Sequence, residues 1–378
     1  ADALSGRNAL KANDGHCVLI WPPYTRASTS HLPLGIPSLS AYLTSNGVRD
    51  LRVADVNTAY LKTNRYFWFI RRLQLRYPNL AKLVSQGIRK TGRGSTKGVV
   101  QESGTGQVQT HGVGVRGVPF WRRIFSWVFL PLVLRVKRSL EETDARVRNA
   151  IPESVEAIVT CATEESQRTH EKLLRDVLRS EVMKDRPGLV GISVIYPEQL
   201  FFALIVSKLL REELGKDVDI VLGGAQITKH IERLSTSEKV YDLVDFLITN
   251  DGEEPLLKLI QALPERRFSD IPNLYYRKPG EGREFCRSSE TFSLRPKDYP
   301  VPDFAGFDMR DYLEIMPLLA TKGCYWSRCS FCTYSVMHGR SFYGGSVEGV
   351  LQAMMALKGK YGVSTFDLEV VPEIRTAC

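Results

Sequence analysis

The chain has 378 residues, of which 43% are hydrophobic and 25% are charged, and its formal net charge is +9. These values exclude a largely disordered chain and allow two or three globular domains. The longest apolar stretch, residues 124–136, contains Pro131 and Arg135 and falls short of the roughly 20 residues that span a bilayer, so we predict no transmembrane segment. Seven cysteines without a secretory leader predict a reducing, cytoplasmic location.

Short apolar runs alternate with helix-like segments on either side of a long insertion. The runs predicted as strands are 17–21, 51–56, 189–196, 218–222 and 246–249. The segments predicted as helices are 34–43, 199–214 and a closing helix that ends at Leu263. This alternation is typical of a parallel sheet covered by helices. We therefore predict an α/β fold with a flavodoxin-like doubly wound parallel sheet, formed by residues 15–60 and 151–265, which binds ligands at the carboxyl ends of its strands.

The insertion, residues 61–150, is strongly basic, with 18 Lys and Arg residues against 4 Asp and Glu residues. Its centre, 91–117, is rich in Gly, Thr, Gln and Val and predicts a flexible loop. We favour a helical hairpin with a solvated basic face, and the alternative is a surface that holds an acidic substrate or peptide. Aromatic residues interleaved with arginines also occur where proteins bind membranes or nucleic acid, although nucleic acid is the partner we expect least.

Three cysteines, Cys324, Cys329 and Cys332, lie within nine positions in the stretch ATKGCYWSRCSFCTYS. Iron-sulfur cubanes are normally held by four cysteine thiolates. A trio therefore predicts a cluster with one iron left open to a small molecule. A structural zinc site with His338 as the fourth ligand is the alternative, because zinc accepts a tetrahedral set of three cysteines and one histidine.

The segments around the cysteines have the pattern of a β/α unit. Residues 266–315 are predicted as a linker that contains a short strand at 271–277, a hairpin turn at 279–282 and a strand around Cys286. The apolar run 316–320 is predicted as a buried strand that delivers the cysteines from its carboxyl end. That edge carries the chemistry in α/β barrels. Downstream, we predict that Ser346 caps a helix, that Gly362 ends it, and that residues 365–371 form the next strand.

On these residues the segment 316–378 resembles the start of a radical S-adenosylmethionine (SAM) domain, whose usual signature is C-x3-C-x2-C with an aromatic residue before the third cysteine. The final Cys-Ser-Phe-Cys matches that signature, whereas the gap between Cys324 and Cys329 is one residue longer. The resemblance implies that Cys324, Cys329 and Cys332 hold a 4Fe-4S cluster whose open iron binds SAM. It covers only the first β/α unit of a barrel that as a whole needs about 200 residues. We therefore expect a partial radical SAM barrel that is inactive by itself.

Motifs at the predicted strand ends resemble the cobalamin-binding domain that precedes the barrel in a large subgroup of radical SAM enzymes. In chain order they are VLIWPPY, LGIPSLSAYL, VGISV, VLGGA and DGEEPLLKL. Small residues at strand ends allow a flat corrin to lie against the backbone, and helix N-termini meet its polar side arms. The residues that the resemblance implies as corrin contacts are Pro22, Pro23, Tyr24, Ser193, Gln199, Gly223, Gly224, Gly252 and Glu253.

Together the resemblances imply a cobalamin-dependent radical SAM enzyme that transfers a methyl group to an unactivated carbon, through a 5′-deoxyadenosyl radical and methylcobalamin. A radical rearrangement or cyclisation is the alternative within this class. A non-catalytic cobalamin-binding protein with the zinc site is the alternative outside it. The partners implied are a small-molecule or peptide substrate and an electron donor such as flavodoxin or ferredoxin. The sequence identifies neither the substrate nor further catalytic residues.

Overall fold

The structure, a computed structural model, describes residues 16–24, 31–63, 68, 72, 155–163, 168–278, 285–288, 292–330, 332, 334 and 341–369. The chain divides into two compact units, one of residues 1–75 with 147–378 and one of residues 76–146. The second unit lies outside the described residues, as do the predicted loop 91–117 and the alternative zinc ligand His338. The first unit is a mixed α/β structure.

A seven-stranded, mostly parallel sheet forms the centre of the first unit. Its strands are β1 (Cys17–Ile20), β2 (Leu51–Ala54), β3 (Leu189–Ser193), β4 (Asp219–Gly223), β5 (Phe246–Ile248), β6 (Leu274–Arg277) and β7 (Phe285–Arg287). Its helices are α1 (Gly35–Ser45), α2 (Val56–Thr63), α3 (Val155–Thr163), α4 (Arg168–Glu181), α5 (Pro197–Leu214), α6 (Ala225–Ser235), α7 (Glu238–Leu243) and α8 (Glu253–Ala262). The strand order is β2-β1-β3-β4-β5-β6-β7, and the first five strands are parallel.

Apolar side chains cover both faces of this sheet. In β1, Val18 and Ile20 belong to the cluster that includes the buried residues of α5, whereas Cys17 and Leu19 belong to the cluster that includes those of α1 and α8. Buried parallel strands of this kind are apolar at every position, because each face packs against helices. Within the described residues, no helix is long and apolar enough to cross a membrane.

Several local features differ from the predicted elements. β3 ends at Ser193 rather than at residue 196. β2 ends at Ala54 rather than at residue 56, because the Asp55 carboxylate accepts a hydrogen bond from the Thr58 amide at 3.0 Å and so starts α2. The two strands predicted within the linker are present as β6 and β7, but they are not separate from the sheet, which they extend beyond β5 as antiparallel strands. The predicted sheet of five strands therefore has seven.

The cysteines lie in a smaller β/α unit. It contains β8 (Ile315–Leu319), β9 (Thr321–Lys322), β10 (Tyr343–Gly344), α9 (Val347–Tyr361) and β11 (Thr365–Glu369). β8 and β11 are parallel, and β9 and β10 are antiparallel. The two local predictions for α9 are confirmed, since Ser346 Oγ accepts a hydrogen bond from the Gly349 amide at 3.0 Å and Gly362 ends the helix with a φ of 70°.

Candidate functional site

A cavity of about 360 Å³ lies at the carboxyl ends of β1, β3, β4 and β5 and opens to solvent. This is the edge at which open α/β sheets bind their ligands. Its lining includes Ser193 at the end of β3 and Gly223 at the end of β4, which are partners in the parallel register of these two strands. The volume lies at the lower end of the range for small-molecule sites.

Two adjacent glycines keep part of the cavity wall free of side chains. Gly224 has a φ of 101°, and a Cβ atom placed there would lie 2.7 Å from the carbonyl oxygen of Val194. The backbone of Val194 is held in place because its amide donates to the Gly223 carbonyl at 2.8 Å and its carbonyl accepts from the Gln226 amide at 3.0 Å. Only glycine therefore fits at position 224 without strain, and the backbone lies bare to the cavity.

Five of the residues predicted as corrin contacts line this cavity, namely Ser193, Gly223, Gly224, Gly252 and Glu253. The other four, Pro22, Pro23, Tyr24 and Gln199, are buried beside it and are not part of its lining. Gln199 is fully buried, and its side chain donates to the Pro22 carbonyl at 3.2 Å. It also accepts from the amides of Ile195 and Tyr196, both at 3.0 Å. Gln199 therefore connects the turn at Pro22 to the turn at Ile195 and Tyr196 beside the cavity.

An aromatic pair stands at the rim of the cavity. Tyr196 lines the cavity and is 41% exposed, and the buried Tyr24 ring stacks against it with the ring centroids 4.4 Å apart. The Tyr24 amide donates to the side-chain oxygen of the buried Asn57 at 2.8 Å, which fixes the Pro-Pro-Tyr turn. Tyr24 therefore supports the rim through Tyr196.

One wall of the cavity is charged, and of its residues Glu253 was predicted as a corrin contact whereas Lys322 and Tyr299 were not predicted. Lys322 forms an ion pair with Asp251 there, and the Tyr299 side chain lies beside both residues. Burial, reinforced by the nearby charge of Asp251, raises the pKa of Glu253 to about 7. Burial is also the largest cause that raises the pKa of Tyr299, followed by the nearby charges of Glu253 and Asp251. The Glu253 carboxyl is therefore partly protonated at neutral pH and able to donate a hydrogen bond.

The cysteine segment begins directly after Lys322. Gly323 has a φ of 80°, and a Cβ atom there would lie 1.7 Å from the Ser341 carbonyl oxygen, so the two ends of the segment pass in close contact beside the β9–β10 pair. Cys324 is half-buried, whereas Cys329 and Cys332 are exposed. The Cys332 amide donates to the Cys329 carbonyl at 3.3 Å. All three thiols are free of disulfides.

The three thiols do not converge on a common point in the described part of the chain. In the described residues, no three His, Cys, Asp or Glu side chains come together as a group that could hold a metal ion. The cysteine segment nevertheless adjoins the cavity, because Leu319, Lys322 and Tyr334 contribute to its lining. The Asp-Gly-Glu-Glu motif pointed to the Asp251 side of this wall, but no sequence signal pointed to Tyr299.

No family model matches the chain. It is 24% identical over 191 residues to an uncharacterized methyltransferase of Pyrococcus horikoshii, a match that covers 49% of this chain and 40% of that relative. The chain thus spans less than half of the length of that relative. It is similar to two solved structures of the cobalamin-dependent SAM radical enzyme OxsB, each with a TM-score of 0.39. The form with aqua-cobalamin bound is 19% identical and covers 52% of this chain and 27% of that one, and the apo form is 18% identical and covers 55% and 28%.

Proposed function

We propose that this chain carries the cobalamin-binding domain and the first β/α unit of the radical SAM domain of a cobalamin-dependent radical SAM enzyme. The observation that carries the proposal is the position of the cysteine segment, whose first thiol, Cys324, lies two residues after the cavity residue Lys322. A ligand at the strand ends and a cluster on the cysteines would then face one another. The methyltransferase name of the relative from Pyrococcus horikoshii favours methyl transfer. An unactivated carbon as the acceptor is what the resemblance to the cobalamin-dependent subgroup implies.

The proposal includes a flavodoxin-like, doubly wound topology for residues 15–60 with 151–265. The parallel order β2-β1-β3-β4-β5 and the apolar clusters on both faces support it. In the same way, the parallel pair of β8 and β11, joined through α9, supports a first β/α unit of a barrel in residues 316–378. We propose residues 266–315 as the connection and 61–150 as a basic insertion.

The cavity residues suit a corrin. The bare backbone at Gly223 and Gly224 gives a flat wall, and the Ser193 side chain and the protonated form of Glu253 can donate hydrogen bonds to the amide side arms of the ring. A corrin is larger than the cavity and would extend beyond its open side. Apolar side chains such as Leu19 and Ile248 line the remainder and exclude water from that face.

The cysteine trio suits a 4Fe-4S cluster with one open iron, because thiolates are the ligands of such clusters and three are present. Cys324, Cys329 and Cys332 would hold it. When bound, the cluster with SAM supplies a 5′-deoxyadenosyl radical and cobalamin supplies a methyl group. The protein would hold the cysteine loop beside the cavity and keep water from its apolar wall. A small-molecule or peptide substrate and an electron donor such as flavodoxin or ferredoxin complete the proposal.

Anaerobic reconstitution of the chain with ferrous iron and sulfide tests this function. We expect about four iron and four sulfide per chain, and loss of both in Cys324→Ala, Cys329→Ala and Cys332→Ala. Cys286→Ala is the matched control, because Cys286 lies in β7 away from the cysteine segment and should leave the cluster intact. Zinc without sulfide in the purified protein would instead favour the alternative zinc site.

Titration of the same proteins with hydroxocobalamin tests the second cofactor. We expect saturable binding by the wild type, with the change in the cobalamin absorption spectrum as the measurement. Ser193→Ala should weaken that binding, since it removes a donor from the cavity wall. Equal cobalamin affinity in wild type and in a variant with a bulky side chain at this wall, Gly223→Leu, would contradict the proposed binding site.

A further inference from the structure

Lys322 is a buried cation whose partners come from two distant parts of the chain. Its side chain is 6% exposed, and that of its ion-pair partner Asp251 is 13% exposed. The Lys322 ammonium also donates to the Leu294 carbonyl at 2.9 Å and to the Ser293 hydroxyl at 3.2 Å, and the Tyr299 hydroxyl lies 3.4 Å from it. Every donor of the ammonium thus has an acceptor.

The partner carboxylate is held as firmly as the lysine. Asp251 accepts a hydrogen bond from the Leu294 amide at 2.8 Å, and the Tyr299 hydroxyl lies 3.4 Å from its other oxygen. Asp251 follows β5 of the large sheet, whereas Lys322 belongs to β9 of the smaller unit. The ion pair therefore joins the edge of the sheet that forms the cavity to the segment that carries the cysteines.

The path from Lys322 to the first thiol is short and rigid. Cys324 lies two residues further on, and Gly323 between them is pressed against the Ser341 carbonyl. A displacement of Lys322 would therefore move Cys324 as well. Ser327 stabilises the turn that follows, because its hydroxyl donates to the Cys324 carbonyl at 2.6 Å.

We propose that Lys322 is a positioning residue, whose ion pair with Asp251 fixes the position of Cys324 at the start of the cysteine segment, beside the cavity wall that Lys322 forms. The inference takes its functional meaning from the proposed cluster site, but the packing it describes exists without a bound cluster. Removing the ammonium leaves the Asp251 carboxylate buried without its cation, and a buried carboxylate without a partner is strongly unfavourable. The start of the cysteine segment then separates from the cavity wall.

Cysteine alkylation in the metal-free, reduced chain measures this directly. Iodoacetamide labelling followed by mass spectrometry gives the rate at each thiol in the wild type, Lys322→Met and Lys322→Arg. Lys360→Met is the matched control, because Lys360 of α9 forms an ion pair with Asp303 at 2.9 Å that is more exposed than the pair of Lys322 and Asp251. Cys17 reports global unfolding, since it is 1% exposed in β1 and burial raises its pKa to about 12.

In Lys322→Met we expect labelling of the half-buried Cys324 to become about tenfold faster, the sign of a local opening, while Cys17 stays slow. The exposed Cys329 should label at an unchanged rate. Lys322→Arg should restore most of the protection because it keeps the charge, and Lys360→Met should resemble the wild type. Unchanged labelling of Cys324 would overturn the proposal, and so would a parallel rise at Cys17, because that result reports global destabilisation.

If Lys322→Met does not fold, the double variant Asp251→Asn with Lys322→Met takes its place, since it leaves no unpaired charge. The same criteria apply to it. Failure of both to fold would make the pair a requirement for folding and would overturn a positioning role. Because labelling uses no metal, a wild type that takes up no cluster would refute the proposed function and leave this result standing.

Discussion

Arg211 and Asp245 form an ion pair, with only 12% and 19% of their side chains exposed, that joins the end of α5 to the start of β5. Asp245 also pairs with Arg277 of β6 and accepts a hydrogen bond from the Ile220 amide at 2.9 Å. The Asp245 carboxylate thus connects α5 to β4, β5 and β6. It lies at the amino end of β5, whereas the cavity lies at the carboxyl ends of the strands.

Replacing this carboxylate should destabilise the whole sheet. We expect Asp245→Ala to lower the free energy of unfolding by about 3 kcal/mol, because two partly buried guanidinium groups lose their shared partner. Urea denaturation followed by circular dichroism measures the change. Glu265→Ala is the control, since Glu265 and its partner Arg267 are largely exposed and 3.8 Å apart, and it should leave stability unchanged. A similar effect in both variants would contradict the prediction.

The close approach of Gly224 to Val194 predicts a strong local effect of a single methyl group. Gly224→Ala should lower the free energy of unfolding by about 2 kcal/mol or more, since the positive φ and the contact with the Val194 carbonyl both become strained. Gly359→Ala is the control, because Gly359 lies in α9 with open space around it. That substitution should stabilise the chain by up to about 1 kcal/mol. Thermal unfolding of both variants checks the contrast.

Glu253 predicts a defined pH dependence of stability. Burial raises its pKa from the usual 4.5 to about 7, so the folded state binds the proton more tightly than the unfolded state. The wild type therefore loses stability as the pH rises from 4.5 to 7, and no more from this group above 7. Relative to it, Glu253→Gln should become more stable across that window by up to about 3 kcal/mol.

The measurement is urea denaturation of both proteins at pH values from about 4 to about 9, in roughly unit steps. The other titrating groups are present in both proteins, so the difference between the two isolates Glu253. A difference that is constant across the window would show that Glu253 is ionised at the same pH in the folded and unfolded chains, which would contradict the burial of its carboxyl.

The cap of α9 predicts a smaller effect on the unit that carries the cysteines. Ser346→Ala removes the acceptor for the Gly349 amide and should cost about 1 kcal/mol of stability in that helix. Ser346→Asp keeps an acceptor oxygen and should retain most of it. Hydrogen exchange of the first turn of α9 is the measurement. Equal exchange in the alanine and aspartate variants would mean that the cap contributes nothing.

Local sequence patterns alone determined several elements. The start of α9 follows from Ser346, whose hydroxyl accepts a hydrogen bond from the amide of the residue three positions later. The end of α9 follows from Gly362, which adopts a positive φ without strain. The central strands follow from apolar runs bounded by turn residues, and Gly223 with Gly224 marks a strand end beside the cavity. Each of these features depends on neighbours within a few residues, so the sequence contains the physical cause.

The tertiary structure decided which of these residues meet. Ser193 and Gly223 reach the cavity through strand register, whereas Gln199 is turned inward by its bonds to the Pro22 turn. Asp251 and Lys322 are 71 positions apart and become partners only because β5 and β9 approach the same wall. β6 joined the sheet because the open edge of β5 offered hydrogen bonds to it. Such pairings depend on the packing of the whole unit, which no local pattern encodes.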